Sequence, residues 1–72
     1  MKNSFVDKII LLRKENGLSQ KKLGEYAGIP QTTISEWERG NSLPDIVQAE
    51  KLAHALNTTL IDILNGKALK NK

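Results

Sequence analysis

Apolar residues recur at helical spacing along most of this chain, and nowhere do they alternate in the manner of a strand. Phe5, Ile9 and Leu12 share one face, flanked by Val6 and Ile10. Ser4 with Asp7 three residues on has the spacing of a capping box, so a first helix is expected from Ser4 to about Asn16, stopped by Gly17. Ser19 is expected to cap a second helix that begins with Gln20, Lys21 and Lys22 and turns Leu23, Tyr26 and Ala27 inward. Gly28 permits the left-handed backbone that ends a helix, and Pro30 suits the start of the next. Only three residues separate Ala27 from Gln31, so the third helix must begin at once and at a steep angle. Ile34, Trp37 and Glu38 form its inner face, and Gly40 closes it. Two short helices joined by a tight glycine-containing turn constitute a helix-turn-helix.

Asn41, Ser42, Leu43 and Pro44 read as a loop, with Leu43 expected to plug the core. Asp45 and Gln48 form a capping box for a fourth helix, whose apolar stripe is Ile46, Ala49, Ala53 and Leu56, with Leu52 beside it and Asn57 at its end. Thr59 and Asp62 repeat that pattern for a short fifth helix, with Leu60, Ile63 and Leu64 expected inward and Gly66 closing it. The expectation is an all-α, compact five-helix domain over residues 1–66, followed by a basic, frayed tail over 67–72.

Leu18-Ser19-Gln20, Leu23-Gly24, Gly28-Ile29 and the run from Ile34 to Gly40 resemble the phage-repressor and Cro type of helix-turn-helix, the lambda-repressor-like family. Ile9, Leu12 and Arg13 upstream, and Leu52-Ala53, Leu56 and Leu60 downstream, also fit that pattern, so the likeness covers roughly residues 5–64. Two positions depart from it. Gly24 stands where the family usually has Ala, and both are expected to be small enough for the helix crossing. Asn57 stands where Gly is usual, and Asn also tolerates the left-handed cap.

The 72 residues carry a formal charge of +3, which suits either plain solubility or attraction to a polyanion. There is no Cys, hence no disulfide framework and no thiolate metal site, which fits a reducing cytoplasm. No apolar run approaches a membrane span, and the N-terminus lacks a signal-peptide profile. Three aromatics suffice for a small helical core but not for a large ligand pocket. His54 stands alone, without partners at metal-ligand spacing. No nucleophile–base pair, Gly-rich phosphate loop or carboxylate dyad is present, so no enzyme, cofactor, metal or small-molecule substrate is expected.

Gln31, Thr32, Ser35, Glu36 and Arg39 remain on the outer face of the third helix, where the bland reading is a solvated surface. In a helix-turn-helix this helix lies in the major groove, so these five become candidate base readers. Gln pairs with adenine N6 and N7, Thr packs on the thymine methyl, and Glu accepts from cytosine N4. Glu36 reads either as a specificity device or as a bystander, because a carboxylate near phosphates needs a base amine to answer it. Gln20, Lys21 and Lys22, in the first turn of the second helix, are candidate phosphate contacts, with Asn41 and Ser42 as a second clamp. The two lysines can equally be ordinary solvated helix-end residues. The resemblance implies that Gln20 contacts phosphate and meets the side chain of Gln31. It also implies a partly buried ion pair between Arg13 and Glu38, structural rather than DNA-contacting. Trp37 belongs to the core by its register with Ile34, against the alternative of stacking on a base.

The expected function is a sequence-specific double-stranded DNA-binding transcriptional regulator, a repressor, acting in the cytoplasm as a homodimer on a pseudo-palindromic operator. The dimer interface is expected at Ile61, Leu64 and Leu69, with Leu11 a weaker candidate. Two rivals share the fold. An antitoxin would have a toxin partner encoded beside it. A protein-interaction module would have lost the basic rim and gained an apolar recognition face, which this sequence does not show.

Overall fold

Ser4 opens the first helix of the computed structural model, which describes residues 4–65. Five helices follow one another: α1 (Ser4–Glu15), α2 (Gln20–Ala27), α3 (Gln31–Glu38), α4 (Ile46–Ala55) and α5 (Leu60–Leu64). Among the described residues there is no strand. Ser4, expected as the cap of α1, is already helical where the described residues begin.

The remaining boundaries follow from local chemistry. Gly17, Gly28 and Gly40 all adopt positive φ at the ends of their helices, and Asn57 does the same at φ 59°. Ser19 caps α2 by accepting from the Lys22 N–H at 3.0 Å. Asp45 and Gln48 exchange side-chain and backbone bonds of 2.8 and 2.9 Å in a full capping box. Thr59 accepts from the Asp62 N–H at 3.1 Å. Gly66 and the tail, including Leu69, lie outside the described residues.

The core gathers Ile9 and Leu12 of α1, Leu23 and Ala27 of α2, Ile29 of the turn, and Ile34 and Trp37 of α3. Leu52, Ala53, Leu56 and Ile63 complete it from α4 and α5. The helix α2 packs on α3 and α4, while α1 packs on α3 and α5, so α3 is held from two sides. Lys8 of α1 also donates to the Leu64 carbonyl at 3.2 Å, tying α1 to the last residue of α5.

Four apolar residues expected inside lie outside instead. Tyr26, Leu43, Ile46 and Leu64 are 62%, 61%, 70% and 56% exposed. Tyr26 is displaced because Leu23, Gly24 and Ala27 already fill the contact face of a helix only two turns long. Ile46 begins α4, and Ala49, Leu52 and Ala53 carry the buried stripe from there. In α5, Ile63 takes the single buried place, leaving Leu60 half-buried and Leu64 exposed.

Candidate nucleic-acid interface

The turn between α2 and α3 closes on Gly24. Its carbonyl accepts the backbone N–H groups of both Gly28 and Ile29, the latter at 2.9 Å. A Cβ built on Gly24 would stand 2.5 Å from the Ile29 carbonyl oxygen, so the turn occupies the space an alanine needs. The expectation that Gly and Ala are interchangeable here is therefore corrected. Backbone, not a pliable side chain, is what the methyl group would meet.

From this turn α3 emerges with Ile34 and Trp37 buried, 1% and 4% exposed. Pro30 stands at its N-cap with φ −59° and ψ 143°, and it offers no side-chain acceptor. The Thr33 and Ile34 N–H groups donate to the Pro30 carbonyl at 3.0 and 3.3 Å, which leaves those of Gln31 and Thr32 without a side-chain cap. Gln31 and Thr32 are themselves exposed, and Ser35 is half-buried one turn further on. Trp37 is a core residue, so base stacking by it is excluded by its burial.

The inner side of α3 is fixed by charge. Arg13 Nε donates to Glu38 Oε2 at 2.8 Å and Arg13 Nη2 to Glu38 Oε1 at 3.0 Å, with both side chains 11% exposed. Arg13 Nη1 also donates to the Leu18 carbonyl at 2.8 Å, tying in the residue before the α2 cap. Gln20 Nε2 donates to Glu38 Oε1 at 3.0 Å. The expected meeting of Gln20 with Gln31 is thereby corrected: the carboxylate, a stronger acceptor than an amide, takes the Gln20 donor.

At the other end of α3, Arg39 Nη2 donates to Glu36 Oε2 at 2.6 Å and Asn41 Nδ2 to Glu36 Oε1 at 3.0 Å. The Asn41 and Arg39 donors hold the Glu36 carboxyl below its ordinary range. Residue-by-residue reading of the sequence missed this cluster, although the i, i+3 spacing of Glu36 and Arg39 announces the pair. In α2, Lys22 pairs with Glu25 at 3.3 Å, also at i, i+3. Lys21 is exposed and makes no ion pair among the described residues. Ser42 is exposed in the loop after α3, next to Asn41. Lys21, Lys22, Asn41 and Ser42 therefore flank the outer face of α3 in sequence and are open to solvent, while Gln20 is partly withdrawn toward Glu38.

Comparison with known proteins agrees with this geometry. Residues 9–67 match the family described as helix-turn-helix. The chain belongs to that family. It is 41% identical over 44 residues to Repressor protein C of Escherichia phage P2, an alignment covering 61% of this chain and 44% of that protein. It is 29% identical over 65 residues to the HTH-type transcriptional activator BcrR of Enterococcus faecalis, covering 90% and 32%. The chain thus spans less than half the length of either relative. The solution structure of the DNA-binding domain of the P22 c2 repressor superposes with a TM-score of 0.81 at 26% identity, covering 99% of this chain and 96% of that one. SinR, a master regulator of biofilm formation solved in complex with DNA, gives 0.76 at 31% identity, covering 83% and 97%. This helix-turn-helix is of the phage-repressor type, and its five helices are those of that fold.

Proposed function

We propose that the protein is a sequence-specific DNA-binding transcriptional regulator, a repressor, that lays α3 in the major groove of a double-stranded operator. The observation that carries this reading is the division of α3. Ile34, Trp37 and Glu38 anchor it, while Gln31, Thr32 and Ser35 remain outward at the end left open by Pro30. Gln31 serves an adenine edge through N6 and N7, Thr32 a thymine methyl group, and Ser35 either base. Glu36 and Arg39 form the downstream part of the same face. Lys21, Lys22, Asn41 and Ser42 set the register on the phosphates, with Gln20 holding Glu38 from the side. The kinship to a P22 domain named for DNA binding, and to a regulator solved on DNA, supports the same reading.

The protein acts as a homodimer without catalytic chemistry, in the cytoplasm. Its interface includes Ile61 and Leu64, which are 67% and 56% exposed. Leu43 and Ile46 extend this apolar area, since they line one open groove with Phe5, Leu60 and Leu64. Leu69, also expected there, lies outside the described residues.

Selection of bound duplexes from a random library tests the function. Enrichment of a pseudo-palindrome with half-sites about one helical turn, ~34 Å, apart is the expected result. A pool that remains random after several rounds contradicts sequence-specific binding.

A further inference from the structure

Two carboxylates on α3, two residues apart, each engage an arginine, and the two pairs are physically different. Glu38 receives two bonds from Arg13 and one from Gln20, and neither partner of the ion pair is more than 11% exposed. It is locked. Glu36 and Arg39 meet through one nitrogen, with side chains 44% and 61% exposed. Water and salt screen such a pair, so Arg39 can leave Glu36 when another donor replaces it. Asn41 donates to the other carboxylate oxygen at 3.0 Å, which further favours the ionised form. Asn41 is itself held by its backbone N–H on the Glu36 carbonyl at 2.9 Å, with Gly40 at φ 82° between. The carboxylate therefore keeps a second donor when the guanidinium leaves it.

We propose that Glu36 is a specificity-determining residue that acts through Arg39. In the free protein its carboxylate holds Arg39 by one nitrogen, and Arg39 swings to a DNA phosphate when Glu36 releases it. The inference rests on the DNA-binding reading above. On a mismatched duplex the release strands Glu36 as an unanswered anion near the phosphates, so Arg39 stays withdrawn and contributes nothing to binding. On a matched duplex a cytosine N4 amine answers Glu36 and releases Arg39 to the backbone. The pair thus converts one base contact into one additional phosphate contact.

The test is binding of the full chain to a scrambled duplex over a salt series, for wild type, Glu36→Gln, Arg39→Ala and the double variant. The amide introduced by Glu36→Gln keeps an oxygen for Asn41, so the end of α3 survives, and thermal unfolding of each variant verifies it. Glu36→Gln is expected to bind the scrambled duplex more tightly and to steepen the log–log salt slope by ~0.9 per subunit, one phosphate. Arg39→Ala alone is expected to leave the slope at its wild-type value, and the double variant to return to that value. Equal strengthening by Glu36→Gln with and without Arg39 overturns the proposal, because the carboxylate then merely repels DNA. Loss of ~0.9 in slope from Arg39→Ala alone also overturns it, because Arg39 is then already on phosphate. An unchanged slope in Glu36→Gln, in a protein that binds DNA, removes this inference and leaves the DNA-binding reading intact. Absence of any binding by the wild type removes both.

Discussion

Arg13 of α1 and Glu38 of α3 meet through two parallel hydrogen bonds, 2.8 and 3.0 Å long, at a site where both side chains are largely withdrawn from water. The same guanidinium satisfies the Leu18 carbonyl, so one side chain joins α1, the entry to α2, and α3. Arg13→Met is expected to destabilise the fold by about 3 kcal/mol, because Glu38 is left charged and mostly dry with only Gln20 as donor. Adding Glu38→Leu should recover much of that loss. Thermal unfolding of the two single variants and the double variant checks it. Strictly additive losses would mean that the pair is not coupled.

Gly24→Ala sets two effects of opposite sign against each other. Alanine favours the helix by up to ~1 kcal/mol. Its methyl group would stand 2.5 Å from the Ile29 carbonyl, which is backbone and cannot swing aside. The turn must shift, at a cost of about 1–3 kcal/mol. The net expectation is a lower melting temperature, and a raised one would show that the turn relaxes freely.

Much of this architecture was legible because caps and punctuation are local. Ser19, Gly28, Asp45 with Gln48, and Asn57 each act through bonds or dihedrals within a few residues, and the structure places them as the sequence predicts. The family resemblance also led correctly to the Arg13–Glu38 pair. What periodicity does not carry is the width of a helix's buried stripe. Tyr26 and Ile46 satisfy the spacing, yet in helices of eight and ten residues the neighbouring helices cover only part of that face. Leu43, in a loop, had no periodicity to place it. Competition among donors is equally invisible in sequence. Gln20 could have met Gln31, and Arg39 and Asn41 could have stood free, but in each case a nearby carboxylate is the better acceptor.

Glu36 provides a pH signature. The Asn41 and Arg39 donors depress its carboxyl below the ordinary 4.5, so the folded state binds that proton less readily than the unfolded chain. Its contribution to stability is therefore fully present above the ordinary value and is lost as pH falls through the depressed one. NMR titration should show Glu36 titrating below 4.5 in the wild type and moving up toward it in Asn41→Ala, the larger of the two donors' effects. An unmoved titration in that variant would remove Asn41 as the cause.

Ile61→Lys should weaken self-association. Ile61 is 67% exposed, so the change leaves the monomer's core untouched, and a lysine at an apolar contact costs desolvation when buried. Sedimentation at micromolar concentration and operator binding read it out together. Unchanged mass and unchanged cooperativity on the full operator would place the interface elsewhere.

The central claim is that α3 reads bases while the start of α2 grips phosphate, and Gln31 and Lys21 separate the two. Gln31 is exposed at the open end of α3 and carries no charge, whereas Lys21 is exposed in the first turn of α2 and makes no ion pair among the described residues. The decisive measurement is the affinity of Gln31→Ala and Lys21→Ala for the selected operator and for a scrambled site over a salt series. Gln31→Ala is expected to lose ~1–3 kcal/mol on the operator, with preference relaxed at one base position per half-site and binding to the scrambled site nearly unchanged. Lys21→Ala is expected to weaken both DNAs alike and to shallow the salt slope by ~0.9 per subunit. If Gln31→Ala weakens both DNAs equally while preference survives at every position, α3 does not read bases through Gln31 and the account is contradicted.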